Sequence, residues 1–312
     1  MSKTAMVFSG QGAQAVGMGK DLAEAYPECS ALYRAADQVL GYSLSKVCFE
    51  GPQDELTRTD RCQPAIFVTS LACMAALRKE IPGLTVAATA GLSLGEWTAL
   101  HAAGVLSFED ALRILAARGR FMQEACERKR GGMVSVAGLS ADRLAAVCAA
   151  AGVEISNFNS PEQTVLSGEV EAIRKAEQLA KDAGASRTVA LQVAGAYHSR
   201  LMEPAAAQLE ALLRGIVFHP PAFPVFSNAT GRPHGTPEDI RGAMVRQVTA
   251  PVQWVGCVLG MKSEGIGRYV ECGPGRVLTG LIKRIDNAAA LHNIQDLSSL
   301  RKTLGERKAQ GL

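Results

Sequence analysis

Five residues, Gly91-Leu92-Ser93-Leu94-Gly95, constrain this chain more than any other stretch. They fit GxSxG, in which glycines flanking a serine permit a sharp strand-to-helix turn that lifts the hydroxyl above a sheet edge. The surroundings match, since 84–89 is a short β-like run and 94–103 has helical spacing. The following helix would aim its free N-terminal N–H groups at the same spot, a ready site for a developing oxyanion. Ser93 is therefore either a nucleophile on such a turn or a buried turn serine.

The rest of the chain supplies a scaffold for that turn. Residues 4–9 read as a strand, which leads through Gly10-Gln11-Gly12-Ala13-Gln14 to helical segments near 17–40, and 65–79 has helical spacing. Alternating strand and helix predicts an α/β fold with a parallel sheet covered by helices. The middle has a different rhythm. It runs from β-like 133–136 through a helix at 141–151, stopped by Gly152, to β-like 154–158 and 164–167 joined across Asn159-Ser160-Pro161-Glu162. A helix at 170–183, ended by Gly184, and β-like 188–193 complete the order βαββαβ, the ferredoxin-like pattern. We expect a small ferredoxin-like domain inserted at 128–194, a large α/β domain formed by 1–127 and 195–312, and a site in the cleft between them.

Composition narrows the classes further. At 312 residues, with 47% hydrophobic and 20% charged, the chain suits one large or two smaller globular domains and not disorder, collagen or coiled coil. Apolar runs such as 65–77 fall short of the roughly 20 residues that span a bilayer and are interrupted by Thr69 and Ser70. The start, Met1-Ser2-Lys3-Thr4-Ala5-Met6-Val7-Phe8-Ser9, has no apolar leader pattern, so the expected location is the cytoplasm. Eight scattered cysteines without a CxxC pair suit reduced buried thiols, and no metal site is expected. A net charge of +3 is too mild for nucleic acid and favours acidic partners only weakly.

A serine nucleophile needs a base, and five histidines are present. His101 lies eight helical residues on, roughly 12 Å from Ser93, and packs on its helix. His219 precedes a Pro-Pro pair, His234 sits in a polar loop and His292 is near the C-terminus, which suits structural or exposed roles. His198 remains, just after a β-like run and the small Gly195-Ala196 turn, at the return from the insert and beside the cleft. No Asp or Glu stands out between Ser93 and His198 as a third member, so a dyad is the simpler arrangement, with the second ring nitrogen held by a backbone carbonyl.

Arg118 belongs to a helix that opens with Ser107 and Asp110 in capping-box spacing. The apolar stripe is Phe108, Ala111, Leu112, Leu115 and Met122, and Arg118 falls on it, whereas Arg113 and Arg120 point elsewhere. An inward arginine needs a partner: a structural ion pair, or a substrate carboxylate gripped by its planar fork. Gly10-Gln11-Gly12-Ala13-Gln14-Ala15 also fits GxGxxA, but a dinucleotide site needs a second strand ending in an acid roughly 20 residues later, where 30–40 reads as helix. The loop is instead expected to bring the backbone of Gln11 near Ser93.

These segments together resemble the malonyl-CoA:acyl carrier protein transacylases over essentially the whole chain. The resemblance rests on Phe8-Ser9-Gly10-Gln11-Gly12, 91–96, Arg118-Gly119-Arg120-Phe121-Met122-Gln123, Ala196-Tyr197-His198-Ser199, Pro251-Val252-Gln253-Trp254 and Glu271-Cys272-Gly273-Pro274-Gly275. It implies Ser93 as nucleophile, His198 as base and the N–H groups of Gln11 and Leu94 as oxyanion hole. It further implies that Arg118 binds the malonyl carboxylate and that the carbonyl of Gln247 orients His198. The implied fold is an α/β-hydrolase-like domain with a ferredoxin-like insert. Malonyl-CoA is then a substrate, acyl carrier protein the partner that brings the phosphopantetheine, and no cofactor, nucleic acid or membrane takes part; a monomer is expected.

Two positions depart from the family: Leu92 stands where His usually precedes the nucleophile, and Tyr197 where Phe is typical. The first puts the shape and hydration of the acyl pocket in question, while the second keeps an aromatic that leaves little room for an α-branch. Three other readings stay open on sequence: a serine thioesterase or hydrolase, a stand-alone transferase serving a polyketide synthase, and a non-catalytic carrier-binding module. Arg128, Lys129 and Arg130, at the edge of the insert, are candidates for attracting an acidic carrier.

Overall fold

Parallel pairing needs strands buried on both faces, and β1 (Lys3–Phe8), whose last five residues are all buried, meets that condition. In the computed structural model, which describes residues 3–309, β1 pairs in parallel with β2 (Ala88–Gly91). The next strands are β3 (Gly131–Ala137), β4 (Glu154–Ser160), β5 (Gln163–Glu169), β6 (Arg187–Ala190), β7 (Ile266–Cys272) and β8 (Ala290–Ile294). One four-stranded sheet has the order β2-β1-β7-β8, parallel throughout, and a second has the order β4-β5-β3-β6, antiparallel throughout. The chain is thus mixed α/β. Met1 and Ser2, part of the N-terminal stretch read above, and 310–312 lie outside the described residues.

The register places the site. Phe8 pairs with Gly91 on one side and Cys272 on the other, so β1, β2 and β7 end side by side at their carboxyl edge, where ligands of parallel sheets bind. The helix Thr59–Glu80, buried over most of its length, packs on this sheet, and the helix Phe108–Arg128 packs on that helix. They cross at Gly119, where an added Cβ would sit 2.4 Å from the Thr59 carbonyl oxygen. That close approach brings the neighbouring Arg118 against the helix carrying Gln63.

The antiparallel sheet is stitched to the segment after the helix Pro237–Arg246 through main-chain bonds. Phe158 N–H donates to the Val252 carbonyl at 2.9 Å, and Val252 N–H donates to the Ser156 carbonyl at 2.8 Å. β4 also carries two register shifts against β5, flanking Asn157 and Phe158, where the strand turns some of its bonding towards Val252.

Several element boundaries differ from the sequence reading. The strand expected at 84–89 is Ala88–Gly91, because pairing with β1 begins only at Ala5 opposite Ala88. The region near 17–40 contains two helices, Lys20–Ala25 and Pro27–Leu40, separated at Tyr26, which the following proline holds extended. The turn expected over 159–162 contracts to Pro161-Glu162, since β4 continues through Ser160. β6 stops at Ala190 rather than 193, because it pairs with β3 only over Arg187–Ala190. Among the described residues, no helix is long and apolar enough to cross a membrane.

Two helical glycines should respond to alanine with opposite signs. Gly280, in the helix Val277–Ile285, has open space where a Cβ would go, so Gly280→Ala should stabilise the fold by about 0.5–1 kcal/mol. Gly95, in the helix Leu94–Ala102, would put its Cβ 2.2 Å from the Phe8 carbonyl oxygen, so Gly95→Ala should cost about 2 kcal/mol or more. Chemical denaturation of both variants measures this, and a stabilised Gly95→Ala would refute the close contact.

Candidate active site

The turn between β2 and the helix Leu94–Ala102 is built by contacts that exclude side chains. A Cβ on Gly91 would fall 2.0 Å from the Gly95 carbonyl carbon, and one on Gly10 would fall 2.7 Å from the Leu92 carbonyl oxygen. Ser93, at the helix N-cap, is forced to φ 54° and ψ −105°, a conformation costing a non-glycine residue on the order of 1–3 kcal/mol. Asn228 holds the turn from both sides: its Oδ1 accepts from Ser93 N–H at 2.6 Å and its Nδ2 donates to the Gly91 carbonyl at 2.8 Å.

Ser93 and His198 meet at this turn. The hydroxyl Oγ lies 2.9 Å from His198 Nε2, and His198 Nδ1 lies 2.7 Å from the main-chain carbonyl of Gln247. A carbonyl can only accept, so Nδ1 carries the proton and Nε2 is left as the acceptor facing the hydroxyl. His198 also has positive φ, 55°, among non-glycine residues a property shared here only with Ser93 among the described residues. Burial, followed by the nearby Arg118 cation, pulls the imidazole from its ordinary 6.5 down to about 4, against the opposing pull of the Gln247 carbonyl. At neutral pH His198 is therefore an unprotonated base within reach of a hydroxyl.

Arg118 completes the cluster. The helix that carries it starts at N-cap Ser107, whose Oγ accepts from Asp110 N–H at 3.0 Å; the Ser107 hydroxyl in turn donates to Asp110 Oδ2 at 2.8 Å. Arg118 is 1% exposed. Its Nη1 donates to Gln63 Oε1 at 2.7 Å, and its Nη2 donates to Gln247 Oε1 at 3.0 Å and to Ser93 Oγ at 3.1 Å. Nε has no partner, and among the described residues no carboxylate forms an ion pair with it. Of the two partners considered for an inward arginine, the structural ion pair is absent. Burial lowers the guanidinium to about 10, with Glu96 as the main opposing influence, so it remains charged at neutral pH.

The oxyanion candidates are Leu94, directly after Ser93, and Gln11, on the loop after β1. Leu94 is the first residue of its helix; Gly95 and Glu96 N–H groups turn back to the Leu92 and Ser93 carbonyls, and Leu94 N–H has no protein acceptor among the described residues. Gln11 sits on the loop after β1, which presses on the turn at Gly10; its side chain donates to the Tyr197 hydroxyl at 3.5 Å. That loop forms two turns before a helix begins at Lys20, unlike a dinucleotide loop opening directly into a helix. Tyr197 is buried, with its hydroxyl 3.0 Å from that of Thr59. Leu92 packs on the apolar cluster below the turn.

Of the other histidines, His101 packs against Phe67 and Phe108, with Nδ1 2.9 Å from the Leu106 carbonyl oxygen, and His219 is exposed. His234 takes the structural, not the exposed, of the two roles read for it. Its side chain is 2% exposed and its Nε2 lies 2.7 Å from Glu96 Oε1, because the loop at 228–235 folds back under the turn. Sequence reasoning also missed Asn228, Gln63, the side chain of Gln247 and Glu96. Only Glu96 carried a local signal, as a charged residue directly after GxSxG in an otherwise apolar helix start.

A model of the acyl transferase domain matches residues 5–295. The malonyl CoA-acyl carrier protein transacylase of Escherichia coli K12 is 40% identical over 97% of this chain and 99% of its own length. That of Bacillus subtilis is 36% identical over 99% of each. Among solved structures, a complex of a type II polyketide synthase acyl-carrier protein with its malonyl-transacylase is 41% identical, with a TM-score of 0.94 over 98% of this chain and 100% of the other.

The Arg118 charge predicts a measurable shift at His198. Replacing the cation in Arg118→Met should raise the imidazole midpoint above about 4, yet leave it below the ordinary 6.5 because burial persists. Titration of the imidazole by NMR reads this directly, and an unchanged or lower midpoint would contradict the assignment of cause.

Proposed function

The chain belongs to the acyl transferase domain family, and on that premise we propose that it transfers a malonyl group from malonyl-CoA to the phosphopantetheine thiol of acyl carrier protein. The observation that carries the acyl preference is Arg118: a buried guanidinium without a carboxylate of its own, one hydrogen bond from Ser93 Oγ. A monoacyl group gives such a cation nothing to pair with, whereas a malonyl group ends in the missing carboxylate.

The residues act in a ping-pong cycle. His198 Nε2 takes the Ser93 proton as Oγ attacks the thioester carbonyl, while the N–H groups of Gln11 and Leu94 receive the charge that develops on the carbonyl oxygen. Collapse of the tetrahedral species expels the CoA thiolate, which takes the proton back from His198, and malonyl-Ser93 remains. The carrier's thiol then gives its proton to His198, attacks the ester and leaves with the malonyl group, and His198 returns the proton to Ser93. The Gln247 carbonyl holds the tautomer that both halves need. Every group in the cycle comes from the chain or its two substrates, so we assign no cofactor or metal.

The two sheets support a finer reading of the architecture. The βαββαβ order and the β4-β5-β3-β6 arrangement suit a ferredoxin-like domain at 128–194, inserted into an α/β-hydrolase-like domain of 1–127 and 195–312. We place the enzyme in the cytoplasm as a monomer, with exposed Arg128 and Lys129 at the rim where an acidic carrier would approach; Lys129 already pairs with Glu169. The likeness to a malonyl-transacylase bound to a polyketide synthase carrier keeps a polyketide carrier as a second acceptor. Transfer to a panel of carriers separates the two, and release of free malonate in place of malonyl-carrier would instead indicate a hydrolase.

Mass spectrometry after incubation with malonyl-CoA should find malonyl on Ser93 and none in Ser93→Ala; acylation persisting in that variant refutes the mechanism. Loss of His198 should slow transfer on the order of 100-fold or more. Arg118→Ala should lose malonyl transfer far more than acetyl transfer, and equal losses would remove Arg118 from acyl recognition.

A further inference from the structure

Behind Ser93, His198 and Arg118 lies a second buried cluster that the cycle above does not use: Glu96, His234 and the side-chain amide of Gln247. Glu96 is fully buried on the first turn of the helix Leu94–Ala102. Its Oε2 accepts from Gln247 Nε2 at 2.6 Å, and its Oε1 faces His234 Nε2 at 2.7 Å. Gln247 Nε2 also donates to the Ser93 carbonyl at 2.9 Å. Both acceptors lack a hydrogen to give, so the amide NH2 must face them and Oε1 must face Arg118 Nη2, 3.0 Å away.

A buried carboxylate is costly unless its bonds are used, and here one oxygen is used on the Gln247 amide and the other on His234. Arg118, the cation hydrogen-bonded to Ser93 Oγ, has no direct carboxylate among the described residues, and Glu96 stands one amide away from it. We infer that Glu96, held by His234, is a positioning residue for acyl selection: it fixes the Gln247 amide, which in turn aims the Arg118 guanidinium at the free carboxylate of the incoming acyl group. This role rests on the acyl-transfer reading above. Because the same Gln247 supplies the carbonyl that orients His198, the pair also joins the aim of the cation to the base.

A merely structural role for Glu96, as an acid at a helix N-terminus, would alter stability and slow all acyl donors alike. A positioning role changes the preference between donors. The experiment measures single-turnover acylation of Ser93 by malonyl-CoA and by acetyl-CoA, using rapid quench and mass spectrometry, together with thermal melting. The proteins are the natural sequence, Glu96→Gln, Gln247→Met and the double variant. The malonyl-to-acetyl rate ratio should fall about tenfold in each single variant and no further in the double, since both act on one amide.

An unchanged ratio in folded Glu96→Gln, or losses that multiply in the double variant, would overturn the role while leaving acyl transfer intact. A natural-sequence protein that accepts neither acyl group overturns the acyl-transfer reading and this role with it. Should Glu96→Gln not fold, the comparison moves to His234: His234→Leu should lower the ratio, and His234→Gln, which keeps an N–H donor near Nε2, should restore it. Equal ratios in those two variants also overturn the role.

Discussion

The site depends on a backbone contact that only glycine allows. The first turn of the helix Leu94–Ala102 lies against the end of β1 so closely that a Cβ on Gly95 would overlap the Phe8 carbonyl oxygen. That contact fixes where the helix begins, and hence where Ser93 must take its strained left-handed conformation. The strain is held by bonds from distant segments, Asn228 to the Ser93 N–H and Gln247 to the Ser93 carbonyl. Without those clamps a serine would relax toward an ordinary N-cap and withdraw its hydroxyl from His198.

Electrostatics then imposes two demands on one small buried volume. The base must be free of its proton, and the acyl group's carboxylate must find a positive charge. Burial chiefly meets the first, with the Arg118 cation adding to it, and the same cation meets the second because its own fork remains free of a direct carboxylate. Desolvation pushes His198 and Arg118 alike toward neutrality, but the guanidinium starts so high that it stays charged.

Local patterns revealed much of this and then stopped. GxSxG announced the turn because Gly91 answers to a contact with Gly95, a few residues away, and the stripe on the Arg118 helix was readable because helical period is local. The antiparallel elements were visible for the same reason, with the helix Ala141–Ala151 falling on its expected limits. By contrast, Asn228, Gln63 and His234 act through partners 135, 55 and 138 residues distant, and spacing along the chain carries no trace of such pairings. His234 in particular sits among Gly, Pro, Thr and Arg, a composition that signals exposure until the loop is seen folded beneath the turn. The limits of β2 and β6 were misjudged because a strand ends where its neighbour stops pairing, which the apolar run alone does not record.

The seam between the antiparallel sheet and the segment after Gln247 is made by the main chains of Ser156, Phe158 and Val252. Amide-to-amide bonds are indifferent to the side chains attached to them, so mutation can rewrite the surface on either side of the seam while its spacing is inherited unchanged. Proteins that differ from this chain at about six positions in ten can thus keep nearly the same backbone, as a TM-score of 0.94 at 41% identity illustrates. Divergence is left to work on side chains beside the reacting pair, such as Leu92 and Tyr197, while the frame is passed on.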